Sequence, residues 1–121
     1  MFKKNKFKNV NYLDLTPIPN YGHIVKEEGL VDVLVPRFKN KTAEKLFIPK
    51  SKSPYINANL DELGSEVWKL LNGENKVHVI AEKLNEIFGE KIQPVHERLT
   101  KFLSQLYNNG FISFKEIERN K

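Results

Sequence analysis

The apolar pattern of this chain changes period at Leu60, and that change limits what the chain folds into. Beyond it, apolar residues recur at three- and four-residue steps in three blocks, each closed by a glycine. The first holds Leu60, Leu63, Val67, Leu70 and Leu71, with Trp68 beside the stripe, and stops at Gly73. The second holds Val77, Ile80, Ala81, Leu84, Ile87 and Phe88 before Gly89; the third holds Val95, Leu99, Phe102, Leu103 and Leu106 before Gly110. A stripe near 3.6 residues per repeat marks an amphipathic helix. Asp61 suits the amino cap of the first, and Pro94 suits the first turn of the third. Three one-striped helices bury those stripes against one another.

Before Leu60 the pattern is that of strands. In Leu30–Val35, the residues Val31, Val33 and Val35 fall on one face and Leu30, Asp32 and Leu34 on the other. β-branched residues at period two favour a pleated strand. His23–Glu28 reads as its hairpin partner through a turn at Glu28-Gly29, and Pro36 ends the second strand. Tyr55, Ile56, Asn57, Ala58 and Asn59 alternate as a third strand, and its outer edge must be paired or protected. Pro36 to Pro54 reads as a loop with one apolar patch, Leu46-Phe47-Ile48. Phe111 to Phe114 suggests a closing strand. The expected fold is α+β and winged-helix-like: a small N-terminal antiparallel sheet of about three strands, then a three-helix bundle. Residues 1–20 are expected to be a basic, extended lead-in in which TPIPN connects, and residues 21–121 a single domain. Within that domain, strands occupy 21–59, helices 60–110 and a closing strand 111–118.

Composition excludes several kinds of chemistry. The chain has no cysteine, so disulfides, thiolate metal sites and cysteine nucleophiles are absent. His23, His78 and His96 lie far apart, without the i, i+4 spacing of a helical metal pair. Glu62 with Glu66, and Glu82 with Glu86, are like-charged helical neighbours of the exposed kind, whereas Glu97 and Lys101 form a favourable pair. No phosphate-binding loop or nucleophile elbow occurs. No enzymatic activity, cofactor or metal is expected. The longest apolar stretch, Val31 to Val35, is too short to cross a bilayer, and no signal-peptide core follows the basic start. A cytoplasmic protein without membrane contact is expected.

The net charge of +5 is uneven. Residues 1–55 hold eleven Lys/Arg against five Asp/Glu, and residues 56–121 hold nine against ten, so the halves carry +6 and −1. Lys3, Lys4, Lys6 and Lys8 open the chain. The alternative function for this outline is a winged-helix DNA-binding regulator. Against it, Gly89 to Gln93 is longer than the turn of a helix-turn-helix, and the third helix is weakly charged, with Arg98 and Lys101 against Glu97. Nucleic acid is therefore not the expected partner.

From Leu60 to Ile112 the order of motifs resembles the PqqD family. Leu60-Asp61 and Gly64 open the match, and Val67 to Gly73 reads Val-Trp-x-Leu-Leu-x-Gly. Ile80 to Leu84, Phe88-Gly89, Phe102 to Leu106 and Gly110 to Ile112 follow in sequence. Val33 to Pro36 resembles the family's second strand, whereas the lysine-rich start and the long Pro36–Pro54 link depart from it. The resemblance implies a non-catalytic recognition element of ribosomal peptide-modification pathways. Such a domain captures the leader segment of a precursor peptide as an added strand and presents it to a modifying enzyme, often a radical SAM protein. The strand edge implied is Tyr55, Ile56, Asn57, Ala58 and Asn59. The third helix is implied to supply Leu99, Phe102 and Leu106 as apolar wall and Arg98, Lys101 and Gln105 as rim.

Overall fold

The computed structural model describes residues 11–37 and 54–118. Its strands are β1 (Pro17–Pro19), β2 (His23–Val25), β3 (Val31–Pro36), β4 (Tyr55–Asn59) and β5 (Ile112–Phe114). Its helices are α1 (Glu62–Lys69), α2 (Val77–Phe88), α3 (Val95–Asn108) and the short α4 (Lys115–Glu118), with 3-10 turns at Tyr12–Asp14 and Gly89–Ile92. The chain is α+β with an antiparallel three-stranded sheet, as its change of period predicts. By packing it divides into two compact units. One is Tyr21–Ser65; the other joins the described residues of Met1–Asn20 and Glu66–Lys121.

The strand unit is a meander of order β2-β3-β4. A tight turn links β2 to β3: the amide of Lys26 donates to the carbonyl of Leu30 at 2.8 Å, and Gly29 turns there at φ 86°. Only glycine adopts that backbone region without strain. Val31 and Val33 have no exposed surface. The β3–β4 ladder is closed at its far end by Ser65, which is 1% exposed. Its hydroxyl accepts the amide of Val31 at 2.8 Å and donates to the carbonyl of Leu60 at 3.3 Å. The carboxylate of Asp61 accepts the amide of Gly64 at 2.8 Å, the amino cap its position implies.

In the helical unit α2 packs on α3 and on the Tyr12–Asp14 turn, and α3 packs on β5. Its core is Leu15, Val67, Trp68, Val77, Ile80, Ala81, Leu84, Leu99, Leu103 and Phe114, each at most 2% exposed. Trp68 meets Phe111 edge-on, with ring centroids 6.5 Å apart. Gly110, at φ 81°, ends α3 in a Schellman motif: its amide donates to Tyr107 at 3.1 Å and that of Phe111 to Leu106 at 2.8 Å.

Three details differ from the sequence expectation. TPIPN is extended, as its prolines require, but as a paired strand: Pro17–Pro19 runs antiparallel to Ile112–Phe114. Thr16 anchors it, giving Glu116 its amide at 2.8 Å and its hydroxyl at 2.7 Å while accepting from the Lys115 amide at 2.9 Å. Ile87 shares the apolar period of α2 yet is 51% exposed, because period assigns a face and not the cover over it. The closing strand expected over 111–118 spans only Ile112–Phe114, and Lys115–Glu118 is the short helix α4. The Leu46-Phe47-Ile48 patch and Lys3, Lys4, Lys6 and Lys8 lie outside the described residues.

Candidate functional site

The register of the sheet decides which peptide groups of β4 are used up. Val33 pairs with Ala58, Val35 with Ile56 and Asp32 with Asn59. Backbone bonds at the two ends fix the parity: Leu60 donates to Val31 at 2.9 Å and Arg37 to Pro54 at 2.9 Å. Antiparallel ladders alternate, so Ile56 and Ala58 turn their N–H and C=O toward β3, while Asn57 and Asn59 turn theirs away. Among the described residues no strand pairs with that second side of β4. The strand also carries no charge, no proline and no bulge, the devices that guard an edge against pairing.

Side chains alternate across the same strand. Ala58 and Ile56 stand on the face of Val31, Val33 and Val35, where Ala58 is half-buried and Ile56 is 49% exposed. Asn57 and Asn59 stand on the opposite face with Asp32, whose side chain is 6% exposed. Asn59 donates its Nδ2 to Asp32 Oδ1 at 2.6 Å, Asn57 donates to Oδ2 at 3.2 Å, and Lys26 Nζ lies 2.9 Å from Oδ1. The carboxamide of Asn59 and then the Lys26 ammonium hold the Asp32 carboxyl below its usual range, outweighing the opposing effect of burial. One carboxylate thus ties β3 to β4 and to the turn that follows β2.

The expected helix residues lie on α3, in the other unit. Arg98, Lys101, Phe102 and Gln105 follow at i, i+3, i+4 and i+7 and so share one face. Lys101 and Gln105 are exposed and Phe102 is half-buried. Arg98 is exposed but occupied, giving its guanidinium to the carbonyl of Lys91 at 2.6 Å. Leu99 and Leu106 are 2% and 6% exposed, closed off from solvent as core. Asp32, Lys26 and Ser65 were not singled out by sequence. The alternation placed Asp32 on a strand face among apolar residues, but its partners follow from a register that sequence does not display.

Residues 55–112, just under half of the 121, match the family model described as coenzyme PQQ synthesis protein D, PqqD. The matched stretch is similar to the PqqD family, in agreement with the order of motifs from Leu60 to Ile112. It opens at the first residue of β4 and closes at the first of β5, so it contains β4, α1, α2 and α3. The Val33–Pro36 strand, which resembles the family's second strand, lies before the matched residues. No curated protein and no solved structure matches the chain. Similarity to the PqqD family supports a role in the biosynthesis of PQQ or of modified ribosomal peptides. Among the described residues no cluster of acidic and histidine side chains is placed to hold a metal, and no helix is long and apolar enough to cross a membrane.

Proposed function

We propose that the chain is a non-catalytic peptide chaperone that captures the leader segment of a ribosomal precursor peptide by strand addition to β4 and presents it to a modifying enzyme of the radical SAM class. The observation that carries this reading is the parity of β4: the peptide groups of Asn57 and Asn59 face away from β3, on an edge without charge or proline. An open strand edge is a template for an extended guest.

The energetics set a further requirement. Two residues offer four backbone groups, worth about 0.5–1.5 kcal/mol net each, so about 2–6 kcal/mol together. Association costs about 4–15 kcal/mol, so backbone pairing does not hold a guest alone. Apolar leader side chains covering Ile56 and Ala58 supply part of the remainder. The face of α3 that carries Lys101 and Gln105, with Arg98 and Phe102, is proposed separately as a contact for acidic leader side chains. Neither the described residues nor the family match favours DNA binding.

Proline scanning of the edge tests this. Asn57→Pro deletes an outward donor and leaves the β3 ladder intact, whereas Asn57→Ala removes the same side chain and keeps the donor. The precursor leader binds the alanine variant and loses affinity for the proline variant. Equal affinities for the two variants contradict strand addition at β4.

A further inference from the structure

The two faces of β4 differ in chemistry, and an added strand inherits that difference. In antiparallel pairing, opposed residues stand on the same face, and antiparallel ladders are the more stable kind per residue. Guest residues opposite Asn57 and Asn59 therefore join the face of Asp32 and Lys26. The guest residue between them lies opposite Ala58, and the next lies opposite Ile56.

The polar face is selective in its hydrogen bonding. Asp32 accepts from Asn57 and Asn59, and a carboxylate accepts only from the amide nitrogen, which fixes both carboxamides. Their Oδ1 atoms are left as acceptors, and among the described residues neither receives a donor. Lys26 is engaged by Asp32 at 2.9 Å. What remains for a guest is two carbonyl acceptors: these favour donors, and an ionised carboxylate has no proton to give them. On the other face, Ala58 is small and half-buried and leaves room for a bulky guest side chain, while Ile56, 49% exposed, presents apolar surface to cover.

Resting on the strand-addition reading, we infer that β4 selects an antiparallel segment carrying hydroxyl or amide donors opposite Asn59 and Asn57, a bulky apolar residue opposite Ala58 and an apolar residue opposite Ile56. In the guest's own direction this reads donor, bulky apolar, donor, apolar. Acidic leader residues fall outside this four-residue window.

Two synthetic peptides test the pattern, Thr-Leu-Ser-Val-Thr-Leu and its counterpart Glu-Leu-Glu-Val-Glu-Leu, titrated while the Asn57 and Asn59 amide signals are followed. The donor peptide binds about tenfold more tightly, a difference of roughly 1.4 kcal/mol. It does so although the chain's net charge of +5 favours the acidic peptide overall. In Asp32→Asn, which keeps the side-chain size and removes the anion, the gap narrows. Equal affinities, or a gap unchanged in Asp32→Asn, overturn the inference while leaving strand addition standing. So does silence of both peptides when the native leader shifts the two amides. If the native leader also leaves those amides unmoved, strand addition itself fails.

Discussion

Asn59 and Asp32 face each other across the β3–β4 pair, with the Asn59 Nδ2 2.6 Å from Asp32 Oδ1. The same carboxylate also takes Asn57 and Lys26, so β3, β4 and the turn that follows β2 share one anion. The edge strand proposed to receive a guest is therefore held in register by side chains as well as by its ladder.

That relationship predicts a pH dependence. The folded-state pKa of Asp32 lies below its ordinary value, so the unfolded chain binds more protons in acid. Its contribution to stability is present above the unfolded pKa of about 3.9 and is lost as pH falls through the lower folded value. Thermal melts of wild type and Asp32→Ala separate at neutral pH and converge in strong acid. A separation that is the same at both ends contradicts the assignment.

The Thr16–Glu116 contact gives a second case. Burial pushes the Glu116 carboxyl up, but the hydroxyl and amide of Thr16 pull it further down. Thr16→Val keeps the shape and removes the hydroxyl donor. Because Glu116 is partly exposed, the expected cost is about 1 kcal/mol, with the Glu116 carboxyl rising toward its usual range. Denaturant titration and a carboxyl-directed NMR titration check the two halves.

The local and the long-range parts of this fold differ in how far sequence displays them. Asp61, Gly89 and Gly110 act within one helical turn, so their types and spacings reveal the ends of α1, α2 and α3. The pairing of Pro17–Pro19 with Ile112–Phe114 joins opposite ends of the chain and has no local signature. For the candidate site, alternation placed Tyr55–Asn59 on a strand, but which peptide groups face outward depends on the pairing with β3. Asp32 shows the same limit: its burial among two carboxamides and an ammonium exists only once three strands align. Ile87 shows that a helical period marks a face whether or not another element covers it.

Core packing in the helical unit predicts a large single-site effect. Leu103 has no exposed surface, and Leu103→Ala removes buried methyl groups and leaves a cavity. The expected loss is about 2–5 kcal/mol. Urea unfolding followed through the fluorescence of Trp68, the single tryptophan, measures it.

Backbone conformation predicts another. Gly89 stops α2 at φ 60° and ψ −127°, a region reserved for glycine, although an added Cβ meets no atom within 4 Å. Gly89→Ala is therefore destabilising by about 1–3 kcal/mol through strain alone. Enlarging the neighbouring exposed Glu90 to Arg, which leaves the backbone unchanged, has little effect on the same melt.

Amide hydrogen exchange at Asn57 and Asn59, with and without the precursor leader, tests strand addition most directly. Capture at the β4 edge slows exchange at both amides, while Ile56 and Ala58, already bonded to β3, change little. Saturating leader that leaves Asn57 and Asn59 exchanging at their free rates contradicts the account.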